Sequence, residues 1–210
     1  ALSTVGKDVS LGFKNALEEL GINCDIYFSQ NDGTLMNLEY TMKYPIFTIG
    51  CGVTNSIRGA SFLSKVKDAV VVDVGGTTCD LGILQNGFPR ESAISVQIGG
   101  VHTNFRMPDI ISIGLAGGTI VKGDEDNFEI GPQSVGYKIT EEAMVFGGNT
   151  LTLSDVAAKL GNAFEDRVDK VKDLDESYCQ KIQAKVKETL EDAIDQMKTS
   201  QDDVDLVLTG

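Results

Sequence analysis

Val70-Val71-Val72-Asp73-Val74-Gly75-Gly76-Thr77-Thr78-Cys79-Asp80-Leu81-Gly82 is the stretch on which the reading of this chain turns. Ala69 to Val74 is rich in β-branched residues and apolar at successive positions, which is the pattern of a central strand covered on both faces. Gly75-Gly76-Thr77-Thr78 interrupts it, and Cys79 to Leu84 resumes as a second strand. Asn86-Gly87 is a strong two-residue hairpin signal, and residues 92–98 are expected as the next strand. Residues 69–98 therefore read as a three-stranded antiparallel meander.

The interruption carries the chemistry. Glycines let the backbone come close to a phosphate, so that successive N–H groups converge on one anion. Thr77 and Thr78 add hydroxyl donors. Asp73, at the end of a buried strand, is suited to hold Mg²⁺ through water or to orient an attacking water. Asp80 opens the return strand, where it serves the same metal or simply braces the turn. The plain alternative is a Gly-Gly β-turn between two strands; the acids on both sides and the apolar strand before it weigh for the cradle. No G-x-x-x-x-G-K-[ST] is present, and no G-x-G-x-x-G opens a helix after a strand, so a P-loop and a dinucleotide fold are both disfavoured.

Composition narrows the chemistry further. The 210 residues carry 18 basic and 31 acidic side chains, a net charge of −13. Such a chain has no broad electrostatic footprint for nucleic acid or anionic lipid, and neither is expected as a partner. No stretch approaches the roughly 18 apolar residues of a membrane-spanning helix. Cys24, Cys51, Cys79 and Cys179 are widely spaced and form no C-x-x-C pair, so reduced thiols and a cytoplasmic setting are expected. His102 is the single histidine, so any Ser-His-Asp or Cys-His hydrolase, or any zinc site, would have to rest on it alone.

Outward from the centre, Val9, Phe13, Ala16, Leu17 and Leu20 predict a helix over 8–20, stopped by Gly21. Cys24 to Phe28 reads as a short strand, Asn31-Asp32-Gly33 as a turn, and 55–65 as a helix opened by Asn55 or Ser56. Residues 99–150 are glycine-rich and predict short strands and tight turns. Ser154 is expected to cap a helix over 155–160. Cys179, Ile182, Val186, Leu190, Ala193 and Met197 mark one long amphipathic helix over 176–198. Residues 162–205 hold 13 acids and 7 bases, a solvated face on the bland reading. The first and last residues, Ala1 and the half-turn after Leu208, read as the edges of a piece cut from a longer protein.

Asp-Val-Gly-Gly-Thr-Thr-Cys-Asp at 73–80 resembles the second phosphate loop of the actin and sugar-kinase ATPase superfamily. Leu208-Thr209-Gly210 looks like the start of that superfamily's adenosine motif. A closer resemblance is to the hydantoinase A / 5-oxoprolinase family. It rests on Gln30-Asn31-Asp32-Gly33-Thr34-Leu35-Met36, Thr54-Asn55-Ser56-Ile57-Arg58-Gly59-Ala60, Asn104-Phe105-Arg106-Met107-Pro108-Asp109, Ser112-Ile113-Gly114-Leu115-Ala116-Gly117-Gly118 and Gly131-Pro132-Gln133-Ser134-Val135-Gly136-Tyr137. These lie in family order, and the resemblance covers nearly the whole chain.

The resemblance implies an α/β fold, a ribonuclease-H-like lobe of the actin-like superfamily with a mixed sheet, an antiparallel meander and packed helices, 1–210 forming one nucleotide-binding lobe. It implies ATP and Mg²⁺ as cofactors, with Gly75, Gly76, Thr77 and Thr78 on the β/γ-phosphates, Asp73 on Mg²⁺ or water, Asp80 beside them, and Thr209 and Gly210 bordering adenosine. The family couples ATP hydrolysis to opening a cyclic amide such as 5-oxoproline or a hydantoin. Amide resonance makes that opening uphill, and phosphorylating the amide oxygen gives an activated imidate that water attacks. The rest of the parent chain or a partner subunit would supply the other half of the clamp, so this lobe alone is expected to be inactive. A phosphotransferase or activator ATPase, and a non-catalytic interaction module, are the rival readings.

Two departures from the family pattern bear on specificity: Cys51-Gly52-Val53 stands where Ser-Gly-Pro is usual, and His102 where arginine is common. Arg58 and Arg106 are weighed as phosphate or carboxylate partners against structural ion pairs. Cys51 is weighed as a nucleophile against a small buried thiol, and His102 as an acid or base against a surface histidine. Asp124-Glu125-Asp126 is weighed as an ion site against a hairpin tip, and Gly114 to Thr119 as a ligand contact against close backbone packing.

Overall fold

The structure is a computed structural model that describes residues 2–92, 97–98, 101–102, 107–199 and 202–210. Asn104, Phe105 and Arg106, quoted above, lie outside these residues, as does the middle of the strand expected over 92–98. The chain is a mixed α/β structure that divides into two compact units, Ala1–Val71 with Gly82–Ile110, and Val72–Leu81 with Ile111–Gly210.

In the first unit α1 (Leu2–Glu19) starts six residues before the expected position and seats Gly6 against Pro45. A Cβ at Gly6 would lie 2.4 Å from the proline Cβ, so glycine there is a packing requirement. The strands β1 (Tyr27–Ser29) and β2 (Leu35–Asn37) pair antiparallel around the expected Asn31-Asp32-Gly33 turn. Asp32 Oδ1 accepts the Thr34 N–H and hydroxyl, and Gly33 sits at φ +84. Asn37 caps α2 (Leu38–Lys43), its side chain accepting the Tyr40 N–H at 2.8 Å. The helix α3 (Cys51–Ser64) begins earlier than expected, directly after the left-handed Gly50, and ends on Lys65 at φ 64.

The central strands follow the sequence closely. β3 (Ala69–Val74) buries Ala69 through Val72, and β4 (Cys79–Gln85) buries Cys79, Leu81, Gly82 and Leu84. Asn86 and Gly87 both take positive φ, 53 and 81, the geometry of a two-residue turn whose twist matches its strands. The third strand differs from expectation. β5 (Phe88–Pro89) starts immediately after the turn and is only two residues long, pairing Leu84 with Pro89 and Gln85 with Phe88. A two-residue turn needs its partner strand at once; Pro89 faces Leu84 where no N–H is needed, and Arg90 then donates its N–H to the Ile83 carbonyl at 2.8 Å. The short strands β6 (Gln97–Ile98) and β7 (Val101–His102) pair with each other.

β8 (Ile110–Ile113) pairs with β4. Then β9 (Thr119–Gly123) and β10 (Phe128–Ser134) form a hairpin whose tip is Asp124-Glu125-Asp126. At that tip Asp124 Oδ1 accepts two backbone N–H groups, and Glu125 pairs with Lys181 at 2.8 Å. A short helix, α4 (Ile139–Glu142), precedes α5 (Leu153–Lys159).

The cap of α5 is Thr152, not Ser154. Thr152-x-x-Asp155 is a reciprocal capping pair, whereas Ser154 has Ala157 three residues on and nothing to return the bond. The long helix α6 (Glu176–Met197) lies where its apolar stepping placed it, capped by Asp175. Cys179 and Ile182 pack with Val121 and Val156 in one core, and Ala143, Val145, Ala158 and Val171 form another. The last strand, β11 (Leu206–Thr209), joins a sheet in the order β11-β3-β4-β5. No helix among the described residues is long and apolar enough to cross a membrane.

Candidate anion-binding site

The loop between β3 and β4, residues 75–78, is exposed, and its floor is built by strand ends. Gly75 donates its N–H to the Thr78 carbonyl at 2.9 Å, closing the loop on itself. That amide is therefore spent. Among the described residues no carbonyl accepts from the N–H groups of Gly76, Thr77 or Thr78. A Cβ built on Gly76 meets nothing within 4 Å, and its φ is not in the left-handed region. Neither packing nor conformation within the chain demands glycine there, whereas close approach of a ligand to the backbone would.

The loop's carbonyl side is sutured elsewhere. Gly118 donates its N–H to the Gly76 carbonyl at 2.8 Å, Gly117 to the Gly75 carbonyl at 3.4 Å, and the Ser134 hydroxyl to the Gly76 carbonyl at 3.3 Å. Ser154, in the first turn of α5, donates both its N–H and hydroxyl to the Gly117 carbonyl at 2.9 Å. Gly117 and Gly118 thus belong to the packing alternative of their two readings. A Cβ on Gly118 would lie 2.7 Å from the Gly76 oxygen and 2.8 Å from Ser134 Oγ. Gly118→Ala is expected to cost about 1–3 kcal/mol through this overpacking, read as a lowered denaturation midpoint; an unchanged midpoint would mean the suture is not tight.

Two carboxylates flank the loop. Asp73 is half-buried and its Oδ1 accepts the Thr209 hydroxyl at 3.2 Å. Asp80 is also half-buried; its Oδ2 accepts the Thr78 hydroxyl at 3.3 Å and its Oδ1 accepts the Ser112 hydroxyl. Burial raises the Asp80 pKa, the Thr78 hydrogen bond opposes the rise, and the nearby Asp73 charge adds to it. Gly210 closes against the strand end: a Cβ there would lie 2.1 Å from the Val74 oxygen, and its φ is +132. Asp73, Gly75 through Thr78, Asp80, Thr209 and Gly210 are thus gathered in the second unit around one loop. Ser112, Ser134 and the Gly117-Gly118 turn join them from distant sequence.

Cys79, buried beneath the loop, has its thiol pushed up to about 11, first by burial and then by the Asp80 and Asp73 carboxylates. The folded chain therefore prefers the protonated thiol. The stability linked to it is full below the ordinary value of 9.0 and is lost as pH rises through about 11. Alkylation of Cys79 by iodoacetamide, followed peptide by peptide, is expected to stay slow until pH nears that value, while exposed Cys24 reacts first. Labelling of Cys79 as fast as Cys24 would contradict the burial.

The remaining singled-out residues lie elsewhere. Cys51 opens α3, half-buried, with burial raising its pKa. His102 is exposed on β7. Arg58 makes no ion pair among the described residues; it donates to the Gly87 carbonyl and lies over the Phe88 ring. Among the described residues no group of three His, Cys, Asp or Glu side chains is placed to hold a metal ion. Two carboxylates near an open loop fit a hydrated Mg²⁺ that takes its other ligands from bound phosphates, which is how that ion is usually held.

Comparison with known proteins adds the family. The hydantoinase/oxoprolinase family profile matches residues 1–208. The acetophenone carboxylase gamma subunit of Aromatoleum aromaticum is 31% identical over 116 residues, which is 53% of this chain and 16% of that protein. Acetone carboxylase, in a nucleotide-free structure from a study of ATP-dependent acetone carboxylation, superposes with a TM-score of 0.72 at 20% identity, covering 91% of this chain and 30% of that one. An ATP-dependent caprolactamase from Pseudomonas jessenii superposes with a TM-score of 0.60 at 16% identity, covering 94% and 32%. At these identities the structural likeness speaks to the fold alone. The chain spans between 16% and 32% of the length of these proteins.

Proposed function

Because the chain belongs to the hydantoinase/oxoprolinase family, we propose that it is the nucleotide-binding lobe, of ribonuclease-H-like and actin-related type, of an ATP-dependent enzyme that opens a cyclic amide. The observation that carries this reading is the exposed run of Gly76, Thr77 and Thr78 N–H groups, unclaimed by any described carbonyl and flanked by Asp73 and Asp80. Those amides bind β/γ-phosphate oxygens, and the Thr77 and Thr78 hydroxyls add donors. Gly75 keeps the loop closed. Asp73 and Asp80 hold Mg²⁺, which when bound neutralises charge on the phosphates. Thr209 ties Asp73 to the last strand, where Thr209 and Gly210 border the nucleoside. Bound ATP would supply the phosphoryl group that activates the amide carbon toward water, so that the ring C–N bond breaks and nitrogen leaves as the amine.

The rest of a longer chain or a partner subunit completes the clamp, and a cytoplasmic setting suits the free thiols. A second reading, ATP-dependent carboxylation of a ketone, is favoured by the resemblance to the acetophenone carboxylase gamma subunit. Both readings activate a carbonyl oxygen. ADP release by the full-length enzyme with 5-oxoproline, a hydantoin or a lactam, against a ketone plus bicarbonate, separates them. Stimulation by ketone alone would replace the first reading with the second, and stimulation by neither would remove both. Gly76→Ala gives a sharper test of the loop. Its Cβ meets nothing in the chain, so stability is expected to hold within about 1 kcal/mol, while the KM for ATP rises about tenfold. An unchanged KM would place the nucleotide elsewhere.

A further inference from the structure

A concavity of about 410 Å³ lies wholly within the first unit, lined by Arg58, Phe62, Lys65, Lys67 and Phe88 with Ser61 and Gly87. The chain carries a net charge of −13, yet three of these lining residues are cations and none is an acid. Among the described residues none of the three cations forms an ion pair. Three cations without an ion-pair partner among the described residues gather around one hollow that no acid lines, so the hollow favours an anion.

Its walls are aromatic as well as basic. Phe62 is 72% exposed and Phe88 51% exposed, although phenylalanine is ordinarily a core residue. The Arg58 guanidinium stacks over the Phe88 ring at 4.1 Å, and one of its five N–H groups is engaged by the Gly87 carbonyl. The fork is therefore oriented in advance, with its remaining donors free of any described acceptor. The Lys65 ammonium lies 4.3 Å from the centre of the Phe62 ring, on a residue held in the left-handed region at the end of α3.

We propose that this hollow binds a small organic anion, a carboxylate carried on a flat apolar body. The two phenyl rings take the flat body, and Arg58, Lys65 and Lys67 take the carboxylate. The volume suits one small molecule. Inorganic phosphate offers charge without the body, and a neutral amide offers the body without charge, so both are bound less well. The proposal does not rest on the nucleotide reading, whose residues all belong to the other unit.

Calorimetric titration of the protein with benzoate, benzamide and inorganic phosphate tests it. Benzoate is expected to bind, with benzamide and phosphate each at least about tenfold weaker. The double variant Lys65→Gln, Lys67→Gln alters two exposed side chains and is expected to lose benzoate affinity about tenfold. The matching pair Lys65→Arg, Lys67→Arg keeps the charge and the affinity, which guards against a folding artefact. No heat with benzoate, equal affinity in the glutamine variant, or equal affinity for phosphate or benzamide would each overturn the assignment.

Discussion

Asp73→Asn is expected to lower ATP turnover by about a hundredfold or more, within the range that loss of a charged catalytic group commonly costs, while leaving the fold intact. The reason for the split is geometric. Asp73 is half-buried at the end of β3 and its Oδ1 accepts the Thr209 hydroxyl at 3.2 Å. The asparagine carbonyl accepts the same bond in the same place, so the strand end keeps its tie. What vanishes is the negative charge, and with it half of the carboxylate pair that would hold a divalent cation. Losing that charge also removes the repulsion that helps to raise the Asp80 pKa, so Asp80 ionises more readily in the variant. Phosphate release measured against Mg²⁺ concentration, together with a melting curve, reads both halves of the prediction. Full turnover at ordinary Mg²⁺ would sink the role given to Asp73; a collapsed melting curve would show it to be structural.

Asp155→Ala is expected to destabilise the protein by about 3–5 kcal/mol, a large share of the stability of an ordinary domain. Asp155 is 0% exposed, in the first turn of α5. Its Oδ1 accepts the Val145 N–H at 2.6 Å; its Oδ2 accepts the Thr152 N–H at 2.7 Å and the Thr152 hydroxyl at 2.8 Å. Thr152 and Val145 are themselves fully buried, so alanine strands two backbone donors where water does not reach. Asp155→Asn restores one acceptor but turns an amide NH₂ toward a donor, so a smaller loss of about half that size is expected. Chemical denaturation of both variants checks the order. A drop below about 1 kcal/mol for alanine would mean that the freed N–H groups find other partners.

The expectations that held rest on local pattern. Ala69 to Val72 is apolar at four consecutive positions and rich in β-branched valine, the pattern of a strand covered on both faces, and β3 (Ala69–Val74) buries those four residues. The stepping from Cys179 to Met197 marks α6 because one face of a long helix must repeat. What stayed hidden depends on partners far apart in sequence or on competition between near neighbours. Thr152 and Ser154 both suit a helix cap, and only the return bond from Asp155 decides between them. Phe88-Pro89 is too short to show alternation, so the pattern places the strand farther along. The two carboxylates of the candidate site stand out because both adjoin the Gly-Gly-Thr-Thr run. Ser112 and Ser134, which donate to Asp80 and to the Gly76 carbonyl, do not, since a single serine in a strand has no spacing to betray it.

The Gly117-Gly118 suture has a directional consequence. In a trans peptide the C=O and the following N–H point opposite ways across one plane. The Gly75 and Gly76 oxygens are both drawn toward that turn, so the Gly76 and Thr77 hydrogens are both driven the other way. The polarity of two successive peptide planes is thereby set by bonds on their hidden side, and an anion bound as proposed would require no backbone rotation.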